Sequence, residues 1–436
     1  MSGSAIKEVI SRRVWDSRGN PTVEVDVYLQ SGAMGRSIAP AGASRGAREA
    51  IDLRDGGGFL LGKNVGQAVE NVTSKIAPVI RGMDCFDLAA IDKAMIDLDG
   101  TQFKSSLGGN ATVATSLACL HAAAAEAGLP LWAWISQAYG RNATIPLPEI
   151  QIFGGGAHAA QRVDIQDFMI MVPGAESFDE VMEVTSKVYF AAGELMSEKV
   201  GGGGLGVADE GGWWPVFDSN EEALETLMRA IDRAGEVPGE RVVISLDIAA
   251  SEFGKDGRYR LALDGKDMDS DGFIELLGRW MDDYPIASIE DPLGEDDKEG
   301  IVAFTAAYGD SVQIIGDDYL VTNADLLRQA AIDKACNAVL VKLNQAGTVS
   351  ETIETFFAAK TEGYSPVISA RSGETEDTTI SHLSIGLNGE QLKVGSFTRS
   401  ERMAKWNECL RIESDPSVGA FVGGKPLANT WWGKGR

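Results

Sequence analysis

The chain is short of histidine, of cysteine and of positive charge. Its 436 residues include three histidines and four cysteines, with 39 Lys and Arg against 64 Asp and Glu, a net charge of −25. So acidic a balance excludes a general nucleic-acid or anionic-membrane surface, since both need a basic footprint. It does not exclude a small anionic substrate, because a site can carry its own cations and a bound metal can invert the local field. Cys85, Cys119, Cys336 and Cys409 form no CxxC pair. Zinc ribbons and redox motifs are therefore ruled out, and the thiols read as reduced, in a cytoplasmic protein. The start, MSGSAIKEVI, lacks the basic region and apolar core of a signal peptide. No uninterrupted apolar run reaches the roughly 18 residues of a membrane span.

What is present is a globular composition, 44% hydrophobic and 24% charged, in which 51 glycines point to many tight loops. TVEVDVYL (22–29) alternates cleanly, with Val23, Val25, Val27 and Leu29 on one face and polar residues on the other. That is the period of a half-buried antiparallel strand. IAPAGASRGAREA (38–50) reads as a loop, and TVATSLACLHAAAAEAG (112–128) as a helix stopped by its glycine. RNATIPLPE (141–149) marks the best boundary, giving an N-terminal α+β capping domain over 1–140 and a second domain over 141–436.

Beyond that boundary, short apolar strands end in polar residues and a helical stretch follows each. VVISLD ends at Asp247, IASIE at Glu290, VQIIGD at Asp317, AVLVK at Lys342 and PVISAR at Arg371, while QLKVG carries Lys393. The steps after Glu290 are 27, 25, 29 and 22 residues, each the length of one strand, one helix and two loops. The step from Asp247 to Glu290 is 43 residues and has room for an extra hairpin in GKDGRYRLALDG (254–265). Repeated units with continuous apolar strands imply a parallel sheet covered by helices. A closed (β/α)8 barrel is the leading architecture, ahead of an open doubly wound sheet. In a barrel, functional groups gather at the C-terminal strand ends, so these scattered side chains are expected to converge.

Three of them, Asp247, Glu290 and Asp317, are hard oxygen ligands suited to Mg2+. A single such acid reads more simply as a helix cap; three on successive strand ends favour a metal. Lys342 and Lys393 stand beside them at strand ends. A lysine among cations and low-dielectric walls can lose its proton near neutral pH and act as a base, and the matching chemistry is removal of a proton α to a carboxylate. In VADEGGWWP (207–215), Glu210 is either a general acid or a cap. His121 and His382 lie on helices and read as structural, whereas His158 follows a glycine run in a loop and reads as functional.

At this point the motifs closely resemble one family, enolase. The resemblance runs through WDSRGNPTVEVDV (15–27), MIDLDGT (95–101), VDIQDFMI (163–170), ADEGG (208–212), SLDIAASEF (245–253), SIED (288–291), GDDYLVTN (316–323), VKLNQAGT (341–348), RSGETEDTTI (371–380) and RSERMAKWNECLRIE (399–413). It implies an N-terminal α+β domain on an enolase-type barrel whose second strand runs backwards, and a homodimer. It also implies two Mg2+ ions, the first on Asp247, Glu290 and Asp317, the second arriving with substrate at Ser44. By matching position, Lys342 is the α-proton base, Glu210 the acid that assists departure of the hydroxyl with Asp167, Lys393 the partner of the substrate carboxylate, and Arg371 with Ser372 the phosphate-binding pair. His158 keeps its family identity.

The departures from the family cluster at the phosphate end. The mobile loop, usually Ser-Gly-Ala-Ser-Thr-Gly, is AGASRG (41–46), with Arg45 for threonine. The histidine usually found before the arginine is Ala370, the glutamate usually paired with Glu210 is the shorter Asp167, and the segment before ADEGG is glycine-rich GGGGLG (201–206). The expected substrate is thus a 2-phosphoglycerate analogue with a larger, more anionic phosphorus group, Ala370 making room and Arg45 binding the added charge. Formation of carboxyphosphonoenolpyruvate in phosphonate natural-product biosynthesis, as in the enolase-like synthase of that compound, is the example. The alternatives are ordinary conversion of 2-phosphoglycerate to phosphoenolpyruvate, and a non-catalytic scaffold of the same fold. An acid-sugar dehydratase fits Ser44, Arg371 and Ser372 poorly.

Overall fold

A computed structural model describes residues 2–202 and 205–435; the middle of the glycine-rich 201–206 segment, residues 203 and 204, lies outside them. The N-terminal part is an antiparallel sheet of three strands in sequence order: β1 (Ile6–Trp15), β2 (Pro21–Leu29) and β3 (Met34–Ile38). Against it packs α1 (Gly109–Ala127), whose many alanines let its backbone come close to the sheet. The helix stops at Gly128, in the left-handed conformation (φ 65°), whose N–H caps the carbonyls of Ala124 and Ala125. Residues 39–50 form the expected loop.

The alternation in β2 correctly marks a strand, but the strand is not half-buried. Thr22, Glu24 and Asp26 on its polar face are as sheltered as the valines opposite. The neighbouring strands supply the reason. Arg12 of β1 bonds Glu24 and Asp26, and Arg36 of β3 reaches Asp26 with Nε at 2.6 Å. Burial opposes ionisation of Asp26, but Arg36 and Arg12 outweigh it and hold the carboxyl down to about 2.

The second part is a closed barrel of eight strands: β4 (Leu147–Gly154), β5 (Asp167–Met171), β6 (Val243–Asp247), β7 (Ile286–Glu290), β8 (Gln313–Gly316), β9 (Ala338–Val341), β10 (Ser365–Ser369) and β11 (Gln391–Ser396). All neighbouring pairs are parallel except those of β5, which runs antiparallel to both β4 and β6. Because β5 is reversed, it begins where the others end. Asp167 pairs in register with Asp247 and Gly154, so the first residue of β5 lies level with the last residues of its neighbours. The 43-residue step holds a small antiparallel sheet, Gly254–Lys255, Arg258–Leu261 and Lys266–Asp269.

The strand ends fall close to expectation. Asp247 and Glu290 are the last residues of β6 and β7, Asp317 and Lys342 follow β8 and β9 directly, and Arg371 stands just past β10. Lys393 is the exception: it is the third residue of β11, level with Ser369 and Glu149, so its long stem, and not a strand end, carries its ammonium upward. His158 sits in a short helical turn, Gly156–Ala159, within the β4–β5 connection. Among the described residues, no helix is long and apolar enough to cross a membrane.

The arginine clamp on Asp26 sets an acid-side dependence of stability. Its folded pKa is depressed, so its contribution is complete above the unfolded value near 4 and is lost as pH falls toward 2. Asp26→Asn is expected to cost about 1–2 kcal/mol at pH 7, a figure discounted because both arginines are partly exposed, and next to nothing at pH 2. Denaturant unfolding at the two pH values checks this.

Candidate active site

The strands set a ring of opposite charges at the barrel mouth. Lys393 Nζ lies 2.6 Å from Glu290 Oε2, 2.9 Å from Asp247 Oδ2 and 3.6 Å from Asp167 Oδ2. Lys342 pairs with Asp317 through Nζ and Oδ2. Gln166 and Gln345 complete these acids, donating to Asp247 Oδ2 at 3.0 Å and to Asp317 Oδ1 at 2.9 Å. All but Lys342, which is largely sheltered, are buried, so Coulomb attraction acts with little screening. Burial and the neighbouring Asp247 push Glu290 well above the usual carboxylate range. Burial works against the charge on Lys393, but Asp247, Glu290 and Asp167 outweigh it and raise that lysine.

The expectation of a readily deprotonated Lys342 is not met in this arrangement. Burial and Arg371 disfavour its charge, yet Asp317 prevails and the lysine is raised. A free amine on Lys342 therefore requires that the charge of Asp317 be engaged elsewhere.

The residues present fit a hard divalent cation. Asp247, Glu290 and Asp317 are oxygen donors, and Glu290 Oε1 is buried with no hydrogen-bond partner among the described residues. An orphaned carboxylate oxygen facing a lysine-bridged acid cluster is what an oxygen-loving ion satisfies. Asp291, also close to Asp317 and Asp318, is occupied differently. Its two oxygens accept the backbone N–H groups of Asp317 and Asp318 at 2.8 and 2.7 Å, which fixes the turn after β8.

The anion end lies across the mouth. Arg371 is buried, and both its terminal nitrogens are engaged. Nη1 donates to Glu49 Oε2 at 2.9 Å and Asn344 Oδ1 at 3.0 Å, and Nη2 to the Ser44 carbonyl at 3.0 Å and Glu49 Oε1 at 3.3 Å. Ser372 Oγ accepts from the Ala43 N–H at 2.8 Å, and the backbones of Ala41 and Gly373 exchange two hydrogen bonds. The 41–46 loop is thereby laid on the arginine. Gly42 permits this approach, since a Cβ there would lie 1.9 Å from Arg371 Nη2. Ser44 lines the cleft. Arg45 is exposed and outside the cleft lining in this loop position.

The acid end is built from the β4–β5 connection and the 207–215 loop. His158 Nδ1 is 3.0 Å from Asp167 Oδ1, and its Nε2 is 3.8 Å from Glu210 Oε1. Burial disfavours the imidazolium, but Asp167 and Glu210 outweigh it and lift His158 to about 9. The ring thus sits between the side chains of Asp167 and Glu210. His121 and His382 lie elsewhere, bonded to Thr379 and paired with Glu408.

Together these groups line one cleft, bounded by Ser44, His158, Gln166, Asp167, Glu210, Asp247, Lys342, Ala370, Arg371, Ser372 and Lys393. Glu290 and Asp317 lie beneath it, bonded to the two lysines. Sequence reasoning missed Glu49, Asn344, Gln345, Gln166 and Gln151. A signal existed for some: Glu49 is the sole acid of the 38–50 loop, and Asn344 and Gln345 follow Lys342 directly.

A barrel mouth holding a lysine-bridged carboxylate cluster, an opposed lysine and an arginine-based anion seat defines a metal-ready α/β-barrel enzyme. The family comparisons agree. Residues 142–429 match the model described as enolase, C-terminal TIM barrel domain, and residues 6–135 the model described as enolase, N-terminal domain. The chain belongs to the enolase family, a family of lyases.

Removing the ammonium from the acid ring leaves buried like charges facing one another. Lys393→Met is expected to destabilise the protein in chelator by about 3–5 kcal/mol. Added Mg2+ should raise its melting temperature by more than that of the unaltered protein, as read by thermal unfolding with and without the ion.

Proposed function

We propose that the protein is an Mg2+-dependent hydro-lyase acting on a 2-phosphoglycerate analogue whose phosphorus group is larger and more anionic, for example forming carboxyphosphonoenolpyruvate in phosphonate natural-product biosynthesis. The observation that carries this reading is Ala370. It lines the cleft beside Arg371 and Ser372 with a single methyl group, a small side chain that supports a roomier phosphorus seat in this reading.

In this scheme the amine of Lys342 takes the proton from the α-carbon. Glu210, supported by His158 and Asp167, gives a proton to the departing hydroxyl on the other side, so that one C–H and one C–O bond break and water leaves. Lys393 meets the substrate carboxylate, and Arg371 and Ser372 take the phosphorus oxygens. Asp247, Glu290 and Asp317 would hold one Mg2+, and the Ser44 hydroxyl a second that arrives with substrate. Bound metal supplies the positive charge that stabilises the dianion formed when the proton leaves. Arg45, exposed at the mouth, contributes long-range attraction for a polyanion and no direct contact in this loop position. The protein works as a cytoplasmic homodimer.

The position of Arg45 favours a second reading, ordinary conversion of 2-phosphoglycerate to phosphoenolpyruvate, since no added cation faces the phosphorus seat. The two readings separate in one assay of kcat/KM for 2-phosphoglycerate and its carboxyphosphono analogue. The proposal expects preference for the analogue. Ala370→His with Arg45→Thr should shift the ratio toward 2-phosphoglycerate by at least about tenfold, roughly 1.4 kcal/mol of discrimination, with Ala370→His alone giving most of it. Rapid turnover of 2-phosphoglycerate by the unaltered protein in preference to the analogue would support the ordinary reading.

A further inference from the structure

Gln151 is buried in β4, and its side chain joins two parts of the acid end that are far apart in sequence. Its Nε2 donates to Asp167 Oδ1, the same oxygen that His158 Nδ1 reaches at 3.0 Å. Its Oε1 accepts the backbone N–H of Gly212 at 2.8 Å, two residues beyond Glu210. The approach is close enough to dictate the neighbour: a Cβ on Gly212 would lie 2.4 Å from Gln151 Oε1. The backbone carbonyl of Gln151 in turn accepts from Ser396 Oγ at 2.5 Å, tying it to β11.

These contacts have a directional consequence. Gln151 and His158 both bind one oxygen of Asp167, which leaves Oδ2 buried without a hydrogen-bond partner among the described residues, 3.6 Å from Lys393 Nζ. The carboxylate is therefore held by one edge. The same amide holds the chain that carries Glu210. The span matters too. Aspartate is one methylene shorter than glutamate, and a glutamine reaches one methylene further than an asparagine, so the long amide meets the short acid.

We propose that Gln151 is a positioning residue for the proton-donating side of the site: its amide fixes the separation of the Asp167–His158 pair from the Glu210 loop. The inference rests on the dehydration scheme above. It assigns Gln151 to elimination of water and not to α-proton removal, because Lys342 follows β9 and, among the described residues, the contacts of Gln151 run to Asp167, Gly212 and Ser396.

The test uses Gln151→Asn, Asp167→Glu and the double variant, with two readouts: exchange of the α-hydrogen with solvent deuterium, and kcat for elimination of water. Misplacing a catalytic group by about 1 Å costs on the order of 100-fold. Gln151→Asn is expected to lower elimination by about 10- to 100-fold, with exchange and KM within about threefold of the unaltered protein. The double variant, which restores the summed reach, should recover elimination to within about tenfold. Elimination unchanged in Gln151→Asn, exchange falling in parallel with it, or a double variant no better than the worse single would each overturn the proposal. If Gln151→Asn fails to fold, the double variant decides: recovery supports the proposal and its absence overturns it. An unaltered protein that neither exchanges nor eliminates with either substrate would overturn the dehydration scheme itself, and the inference with it. An active protein indifferent to Gln151→Asn overturns the inference alone.

Discussion

Everything at the barrel mouth depends on holding several carboxylates together in a place with little water. Strand register brings Asp167, Asp247 and Glu290 level with one another, Asp317 follows the next strand, and unscreened these acids would repel strongly. Lys393 and Lys342 keep that concentration of charge tolerable. Lys393 is buried, Lys342 is largely sheltered, and each is raised by the acids around it. In the proposed scheme Asp317, which pairs with Lys342, would also engage the divalent ion, so the proton on Lys342 and binding of the ion would be linked through it.

The N-terminal domain contributes through its loop. Glu49 offers its carboxylate to Arg371 and, at the same time, accepts from Gln345, whose amide also donates to Asp317. Arg371 and Asp317, the proposed anion-binding and metal-binding groups, are therefore joined through two side chains. Loop, anion seat and cation cluster form one hydrogen-bonded unit, which gives a physical basis for substrate and metal to influence each other's binding.

The amino-acid pattern disclosed the barrel because apolar runs of strand length recur at near-constant spacing and end in polar residues; Asp247 and Glu290 could be read directly from that. It could not disclose the reversal of β5, since a short buried strand looks the same in either direction. It misplaced Lys393 at a strand end because stem length, invisible in spacing, does the reaching. It took the polar face of β2 for a solvent face, because the arginines that cover Asp26 come from other strands. For Arg45, residue type suggested a contact with substrate, and spacing could not show that its side chain is exposed and outside the cleft lining in this loop position. Gln151 escaped notice because a lone glutamine in an apolar strand carries no signal until Asp167 and Gly212 are seen on either side of it.

The account stands on Lys342 as the group that takes hydrogen from carbon. Solvent deuterium exchange at the α-carbon of bound substrate, compared between the unaltered protein and Lys342→Ala, addresses this with no dependence on later steps. The account predicts exchange in the unaltered protein and its loss in the variant, with the fold and Mg2+-induced stabilisation retained. Exchange persisting at the original rate in Lys342→Ala would contradict it.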